Sequence, residues 1–412
     1  MKDKMTDTSF EQCMKCTVCT VYCPIVAVNP AFPGPKQAGP DGERFRLKDP
    51  LFYDESLDLC LNCKRCEVAC PSNVKIGDII QNARLEYGVH KPKLRDFILA
   101  NTDLMGSAAV SMAPIVNFTL GLKPVKSLMD AFLAVDHHRA FPKYAGEKFE
   151  TWFKKNAFRQ QEGYLKKVTY FHGCYANYNN PQLGKDLIKI INAIGYGVNI
   201  MDEERCCGVA LISNGFKDKA SEQAKANMAG IRKAVERGEF VLTTSSTCAF
   251  TMRDEYQHIL GLENDDVRDN IILATKFIYE EVSSGRARLV FRDDYRKRIA
   301  YHTPCHMEKL GWAIYSTSLL RLIPGADFLM LDSQCCGIAG TYGFKREHYN
   351  DSQKIGEPLF QQIRDSRADI VATDCETCKW QIEMSAGAIV ENPISILADA
   401  LDVEATIRAN DF

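Results

Sequence analysis

Apolar positions recur at two different periods along this chain, and the change of period marks its parts. Between Ile76 and Tyr87 the residues Ile76, Ile79, Ile80, Ala83 and Tyr87 share one face and predict an amphipathic helix. Val125, Leu128, Met129, Phe132 and Leu133 stand at i, i+3, i+4, i+7 and i+8 and predict a second. Upstream, residues 97–122 are apolar but broken by Gly106, Pro114 and Gly121. From residue 166 the pattern alternates. Short apolar runs at 168–171, 198–201 and 240–243 are interleaved with helical stretches such as 183–194, and the same order returns at 299–301, 312–322, 328–331 and 370–373. Strands alternating with helices argue for α/β units with parallel sheets. Residues 30–35 and 39–42 are rich in Pro and Gly, which argues against long regular elements there. Ser9 with Gln12 has the spacing of a capping box for a short N-terminal helix.

Composition changes this picture only in places. At 412 residues the chain exceeds what one core usually serves, so two or three domains are expected. The net charge of −2 predicts no nucleic-acid partner. No run approaches about 18 uninterrupted apolar residues, and Met1 to Phe10 lacks the apolar stretch of a secretory signal. A cytoplasmic chain with no transmembrane helix is the expectation. Residues 137–159 combine His137, His138, Arg139, Lys143, Lys148, Lys154, Lys155 and Arg159 with Phe141, Phe149, Trp152 and Phe153. An apolar helix with a basic aromatic flank fits an interfacial membrane contact. It equally fits a helical insertion packed between the halves or against a partner. Arg44, Arg46 and Lys48 read as solvated charges, or as donors near a metal centre or a docking surface.

Cysteine changes the picture most. Seventeen cysteines fall at ligand spacings, which argues against a disulfide framework. Cys60, Cys63, Cys66, Cys70 and Pro71 form a C-x2-C-x2-C-x3-C-P run, and Cys13, Cys16, Cys19, Cys23 and Pro24 form its twin. This is the bacterial ferredoxin run, whose fourth cysteine ligates the other cluster. The expected assignment is therefore crossed: Cys13, Cys16, Cys19 and Cys70 on one [4Fe–4S] cluster, Cys60, Cys63, Cys66 and Cys23 on the other. Zinc needs four ligands and gives no reason for this spacing twice over.

The C-terminal part is a duplication. Cys174, Cys206-Cys207-Gly208 and Cys248 are answered by Cys305, Cys335-Cys336-Gly337 and Cys378, at offsets of 131, 129 and 130 residues. Each cysteine follows a strand-like run, where open α/β sheets place their ligands. The second copy has a fifth thiol, Cys375, where the first has Ser245. Two adjacent thiolates suit a larger or distorted cluster; the four thiols of the first copy suit a cluster or a tetrahedral Zn²⁺. His172, His302 and His306 stand beside these cysteines, either as donors that tune a centre or as buried histidines satisfied elsewhere. The expected organisation is an α plus α/β chain: a helical two-cluster ferredoxin domain over residues 1–95, a helical connecting region over 96–165, an incomplete cysteine-rich repeat over 166–290 and a complete one over 291–412.

Twin ferredoxin runs followed by two CCG repeats resemble the iron–sulfur subunits of respiratory dehydrogenases related to the heterodisulfide reductases. Residues 33–44, 335–345 and 373–380 carry the likeness most specifically. The resemblance implies a peripheral subunit at the cytoplasmic face of a membrane, accepting electrons from a flavoprotein dehydrogenase and delivering them to menaquinone. It implies a noncubane [4Fe–4S] cluster on Cys305, Cys335, Cys336, Cys375 and Cys378; Ser245 breaks that pattern in the first copy. A related wire for lactate or glycolate oxidation, or a heterodisulfide-type reductase, shares these motifs. No G-x-G-x-x-G follows a strand, since Gly337, Gly340 and Gly343 are wrongly spaced, so no catalytic residue is assigned and the flavin belongs to a partner.

Overall fold

The alternating half of the chain forms two four-stranded sheets in the computed structural model, which describes residues 8–49, 52–88 and 93–410. The first holds β1 (Lys166–Phe171), β2 (Tyr196–Ile200), β3 (Val241–Thr243) and β4 (Ile271–Leu273) in the order β2-β1-β3-β4. The second holds β5 (Lys297–Tyr301), β6 (Ala326–Met330), β7 (Ile370–Ala372) and β8 (Val390–Glu391) in the order β6-β5-β7-β8. Every pairing between named strands is parallel. Helices cover both faces of parallel sheets, so β3, β4 and β7 are wholly buried. The chain leaves β1 in one direction to form β2 and returns on the other side as β3, so the carboxyl ends of β1 and β3 flank a topological switch point. β5 and β7 do the same.

Periodicity did not show that the two repeats share one core. Helices Pro181–Ala193 and Ala274–Ser283 of the first repeat pack with Ala313–Arg321 and Pro393–Ala400 of the second around buried Leu187, Ile191, Ile278, Leu320 and Leu397. The fourth strands, of three and two residues, are too short to show a period.

The N-terminal part contains no strand among its described residues. Its longest helix, Ile76–Tyr87, buries Ile76, Ile79, Ile80 and Ala83, as expected. The Pro/Gly-rich stretch differs from expectation: Gln37–Asp41 is a π-turn running into the helix Gly42–Arg46. The wider turn accommodates Pro40, and Gly39 permits close approach to Ile76, whose Cγ2 lies 2.9 Å from where a Cβ would stand. Ser9 also differs. It lies within the 3-10 turn Thr8–Gln12, and its hydroxyl accepts the Lys75 amide rather than capping a helix. Arg46 is not solvated: it is 1% exposed, ion-paired to Glu43 at 2.8 Å and donating to the Ala38 and Gly39 carbonyls.

The connecting region divides in two. Phe149 and Phe153 sit in the core against Pro181–Ala193, and Arg139 is fully buried, donating to Gln381 at 2.5 Å over the Phe344 ring. Phe149, Phe153 and Arg139 of the basic aromatic flank are therefore interior packing, while His137, His138, Lys143, Lys154, Lys155 and Arg159 stay exposed around them. Helices Ala113–Gly121 and Lys123–Leu133 behave oppositely. The second buries no residue, and the pair leaves Ile115, Phe118, Leu128 and Phe132 each more than half exposed.

Candidate metal centres

Both ferredoxin runs leave a 3-10 turn and end in a single helical turn, Val18–Val21 or Arg65–Val68. In each, the residues flanking the second cysteine are left-handed: Lys15 and Thr17 (φ 60° and 62°), Asn62 and Lys64 (φ 52° and 63°). Such conformations cost about 1–3 kcal/mol in non-glycine residues and persist only where the surroundings impose them. They turn successive amides inward, so that Asn62 N–H donates to Cys60 Sγ at 3.5 Å.

The thiols gather in two crossed groups. Cys19 has Cys13, Cys70 and Cys16 as electrostatic neighbours; Cys23 has Cys63 and Cys60; Cys66 has Cys63, Cys60 and Cys23. Cys23, Cys60, Cys63 and Cys66 line one cavity of about 360 Å³ with Ile25, Phe32 and Ile80. Four thiols converging on an apolar cavity form the donor set of a [4Fe–4S] cube, so these residues fit that group.

Lys64 fixes this loop from below. It is fully buried, and its ammonium is hydrogen-bonded to Asp78 and 3.7 Å from Glu67. Burial opposes its charge, but Asp78, Glu67 and Glu255 outweigh it and hold the ammonium above the ordinary lysine range. Glu67 accepts the Gly77 amide at 2.9 Å and pairs with Lys309 at 2.9 Å, while Asn62 donates to Glu255 at 2.8 Å. The network thus ties the ferredoxin loop to both repeats. Sequence reasoning missed it. The available signal was Asp78, a carboxylate on the same turn as the buried face of an apolar helix.

In the first repeat, Cys174 follows β1, Cys206 and Cys207 follow β2, and Cys248 follows β3. Cys174 and Cys206 lie 3.8 Å apart, and Cys207 bridges towards Cys206 and Cys248. The glycine after each cysteine pair is left-handed, Gly208 at φ 89° and Gly337 at φ 83°; a Cβ on Gly337 would stand 2.0 Å from the Ser352 carbonyl oxygen. Asp103, from the connecting region, accepts the Cys206 amide at 2.8 Å. Burial, then the Cys206 thiol, push its carboxyl up to about 6. This residue too was not foreseen. Ser245 caps the turn Ser246–Phe250 by accepting the Cys248 amide, and donates to Glu376 at 2.9 Å.

In the second repeat the five thiols form two ends. Cys336 and Cys378 are 3.1 Å apart with Cys375 beside Cys378, whereas Cys305 contacts Cys335 and the ferredoxin thiol Cys63. Cys248 and Cys375 both line a cavity of about 400 Å³ between the repeats, together with His172, Ser245 and Glu376. Burial and the neighbouring Cys375 raise the Glu376 carboxyl to about 8.

The three histidines differ. His172 Nδ1 lies 3.0 Å from Glu204, and burial pushes the imidazole down to about 4 and the carboxyl up. His306 stacks on Phe250 and reaches the Asn62 carbonyl oxygen at 3.4 Å. His302 is buried with neither ring nitrogen partnered.

A helical twin-run domain feeding two cysteine-lined α/β sheets defines a class of iron–sulfur protein. Comparison agrees: residues 9–74 match the 4Fe-4S dicluster domain, and 168–253 and 299–383 match the cysteine-rich domain. The chain is 57% identical over 398 residues to the C subunit of the anaerobic glycerol-3-phosphate dehydrogenase of Escherichia coli, covering 96% of this chain and 100% of that one. It belongs to that family of C subunits. It is also 25% identical over 418 residues to the glycolate oxidase iron-sulfur subunit of Escherichia coli, covering 97% and 96%. The D subunit of the dihydromethanophenazine:CoB–CoM heterodisulfide reductase of Methanosarcina barkeri is 27% identical over 249 residues, covering 57% and 59%.

Proposed function

We propose that this protein is the iron–sulfur electron-transfer subunit of an anaerobic glycerol-3-phosphate dehydrogenase. It takes electrons from a flavoprotein dehydrogenase and delivers them to menaquinone at the cytoplasmic face of the inner membrane. The likeness along almost the whole chain, joined to four gatherings of thiols at the places motif spacing predicts, carries this reading.

In this reading Cys13, Cys16, Cys19 and Cys70 hold one [4Fe–4S] cluster, and Cys60, Cys63, Cys66 and Cys23 the other. Cys305, Cys335, Cys336, Cys375 and Cys378 hold a noncubane [4Fe–4S] cluster; Cys174, Cys206, Cys207 and Cys248 hold a further cluster or Zn²⁺. Bound there, iron–sulfur clusters supply one-electron relays between two-electron partners. The chain supplies spacing and exclusion of water. Ile25, Phe32 and Ile80 wall the second ferredoxin site, the Lys64 network fixes its loop, and the Cys63–Cys305 contact sets it against the second repeat.

Membrane contact is supported by the exposed apolar residues Met112, Ile115, Phe118, Leu122, Leu128 and Phe132, with Lys123 and Lys126 beside them. Monomeric proteins rarely leave such a patch uncovered. No single described helix is long and apolar enough to cross a membrane, which suits lying on one.

The test is metal and sulfide content of anaerobically purified protein with EPR during reductive titration. About twelve irons, four for each [4Fe–4S] centre with Zn²⁺ in the first repeat, or about sixteen with a further cluster there, and a third, non-ferredoxin signal are expected; about eight with ferredoxin signals alone sink the third centre. Glycerol 3-phosphate must then drive reduction of a menaquinone analogue when the flavoprotein is added. Turnover only with glycolate or lactate and their flavoproteins assigns the chain to a different dehydrogenase.

A further inference from the structure

We propose that His302 is a direct ligand of the metal centre in the second repeat, binding through a ring nitrogen beside Cys336 and Cys378. This rests on the reading that the second repeat holds an iron–sulfur centre. It adds a nitrogen donor to a set that the motifs describe as thiolate alone.

The first observation is an unmet demand. His302 is 1% exposed, and neither Nδ1 nor Nε2 has a hydrogen-bond partner. A buried polar group left unsatisfied costs about 1–3 kcal/mol, so such a side chain calls for a partner outside the protein's own hydrogen bonds.

The second is spacing. One ring nitrogen and the sulfurs of Cys336 and Cys378 all lie within 4.8 Å of one another, yet neither thiol is hydrogen-bonded to the imidazole. That stand-off suits a shared ion. Metal–nitrogen bonds of about 2.0–2.1 Å and metal–sulfur bonds of about 2.3 Å put neighbouring tetrahedral donors roughly 3.6 Å apart.

The third is the comparison inside the chain. His172 occupies the same place in the first repeat, and its Nδ1 is met by Glu204 at 3.0 Å and the Gly173 carbonyl at 3.1 Å. The position matching Glu204 is Ser333, whose hydroxyl accepts Arg65 at 3.0 Å. The second repeat has committed that position to holding the ferredoxin domain. Its histidine faces the thiols instead.

The experiment uses full-length holoprotein grown with ¹⁵N-histidine or natural histidine, with pulsed EPR on the non-ferredoxin signal. A strongly coupled nitrogen that changes with the isotope is expected. His302→Gln removes it, His302→Cys keeps the iron without the nitrogen and lowers that centre's midpoint potential because a thiolate takes the place of a neutral donor, and His172→Gln leaves the coupling in place. A third centre without coupled histidine nitrogen in the parent protein, or coupling that survives His302→Gln, overturns the proposal. If His302→Gln does not fold, His302→Cys, which keeps a ligand at that position, decides in its place: coupling that survives it overturns the proposal. About eight irons and no third signal remove the underlying reading and the proposal with it, and the iron count distinguishes that failure from the others.

Discussion

Lys64 is a cation with almost no water, set one residue after Cys63 and held by carboxylates from its own loop and from the following helix. Removing one partner of a buried charge network leaves the others uncompensated, which costs about 3–5 kcal/mol. Lys64→Met is expected to lose stability on that scale, read as a fall in the urea midpoint, and an unchanged midpoint refutes the account. Arg95 and Glu347 show the milder case, a buried guanidinium meeting a partly exposed carboxylate. Burial opposes ionisation of Glu347, but two Arg95 hydrogen bonds at 2.8 and 2.7 Å outweigh it and bring its carboxyl from 4.5 to about 2. A depressed carboxylate contributes stability above its unfolded value and loses it as pH falls towards the folded one. Glu347→Gln is therefore expected to cost about 1 kcal/mol near neutral pH, the pair being partly exposed. Paired thermal melts should show this difference shrinking from about pH 4.5 downwards. A constant difference sinks the assignment.

At the scale of elements, Lys123–Leu133 and Phe149–Asn156 form a controlled contrast. Both are amphipathic, and their sequences gave no means of ranking one above the other. The first has no buried residue, whereas Phe149 and Phe153 in the second are 0% and 1% exposed. Leu128→Glu with Phe132→Glu is expected to abolish co-sedimentation with anionic vesicles while changing stability by no more than about 0.5 kcal/mol per site. Retained sedimentation removes the lipid contact. Phe149→Ala is expected to do the reverse, costing about 3–5 kcal/mol in denaturant with vesicle binding intact. Helices 76–87 and 181–193 were legible because a single stripe had to be buried. The connecting helices were not, because an apolar stripe does not say whether lipid, a partner or the protein's own core covers it.

For the whole molecule, the two halves are expected to depend on metal to different degrees. The ferredoxin part is built from short turns around thiols, with left-handed residues held in place by their surroundings, whereas the sheets share an extensive apolar core. Where ligands order a loop, binding free energy is folding free energy. Anaerobic chelation of iron is thus expected to open residues 8–74 to trypsin while both sheets stay protected, as read by mass spectrometry of the fragments. Equal resistance of both parts contradicts this.

Spacing alone predicted the crossed grouping of ferredoxin cysteines, the duplication and its three strand-to-cysteine junctions. Ligand geometry and strand period are local, so they are written in adjacent residues. Tertiary structure decided what depends on distant partners: the shared core of the repeats, the buried roles of Arg46 and Arg139, and Asp103 beneath Cys206. It also decided the different fates of His172 and His302. Those two occupy matching places in sequence; the Glu204 carboxylate and the Gly173 carbonyl beside one, and neither beside the other, set them apart, because a buried imidazole is defined by what meets its nitrogens.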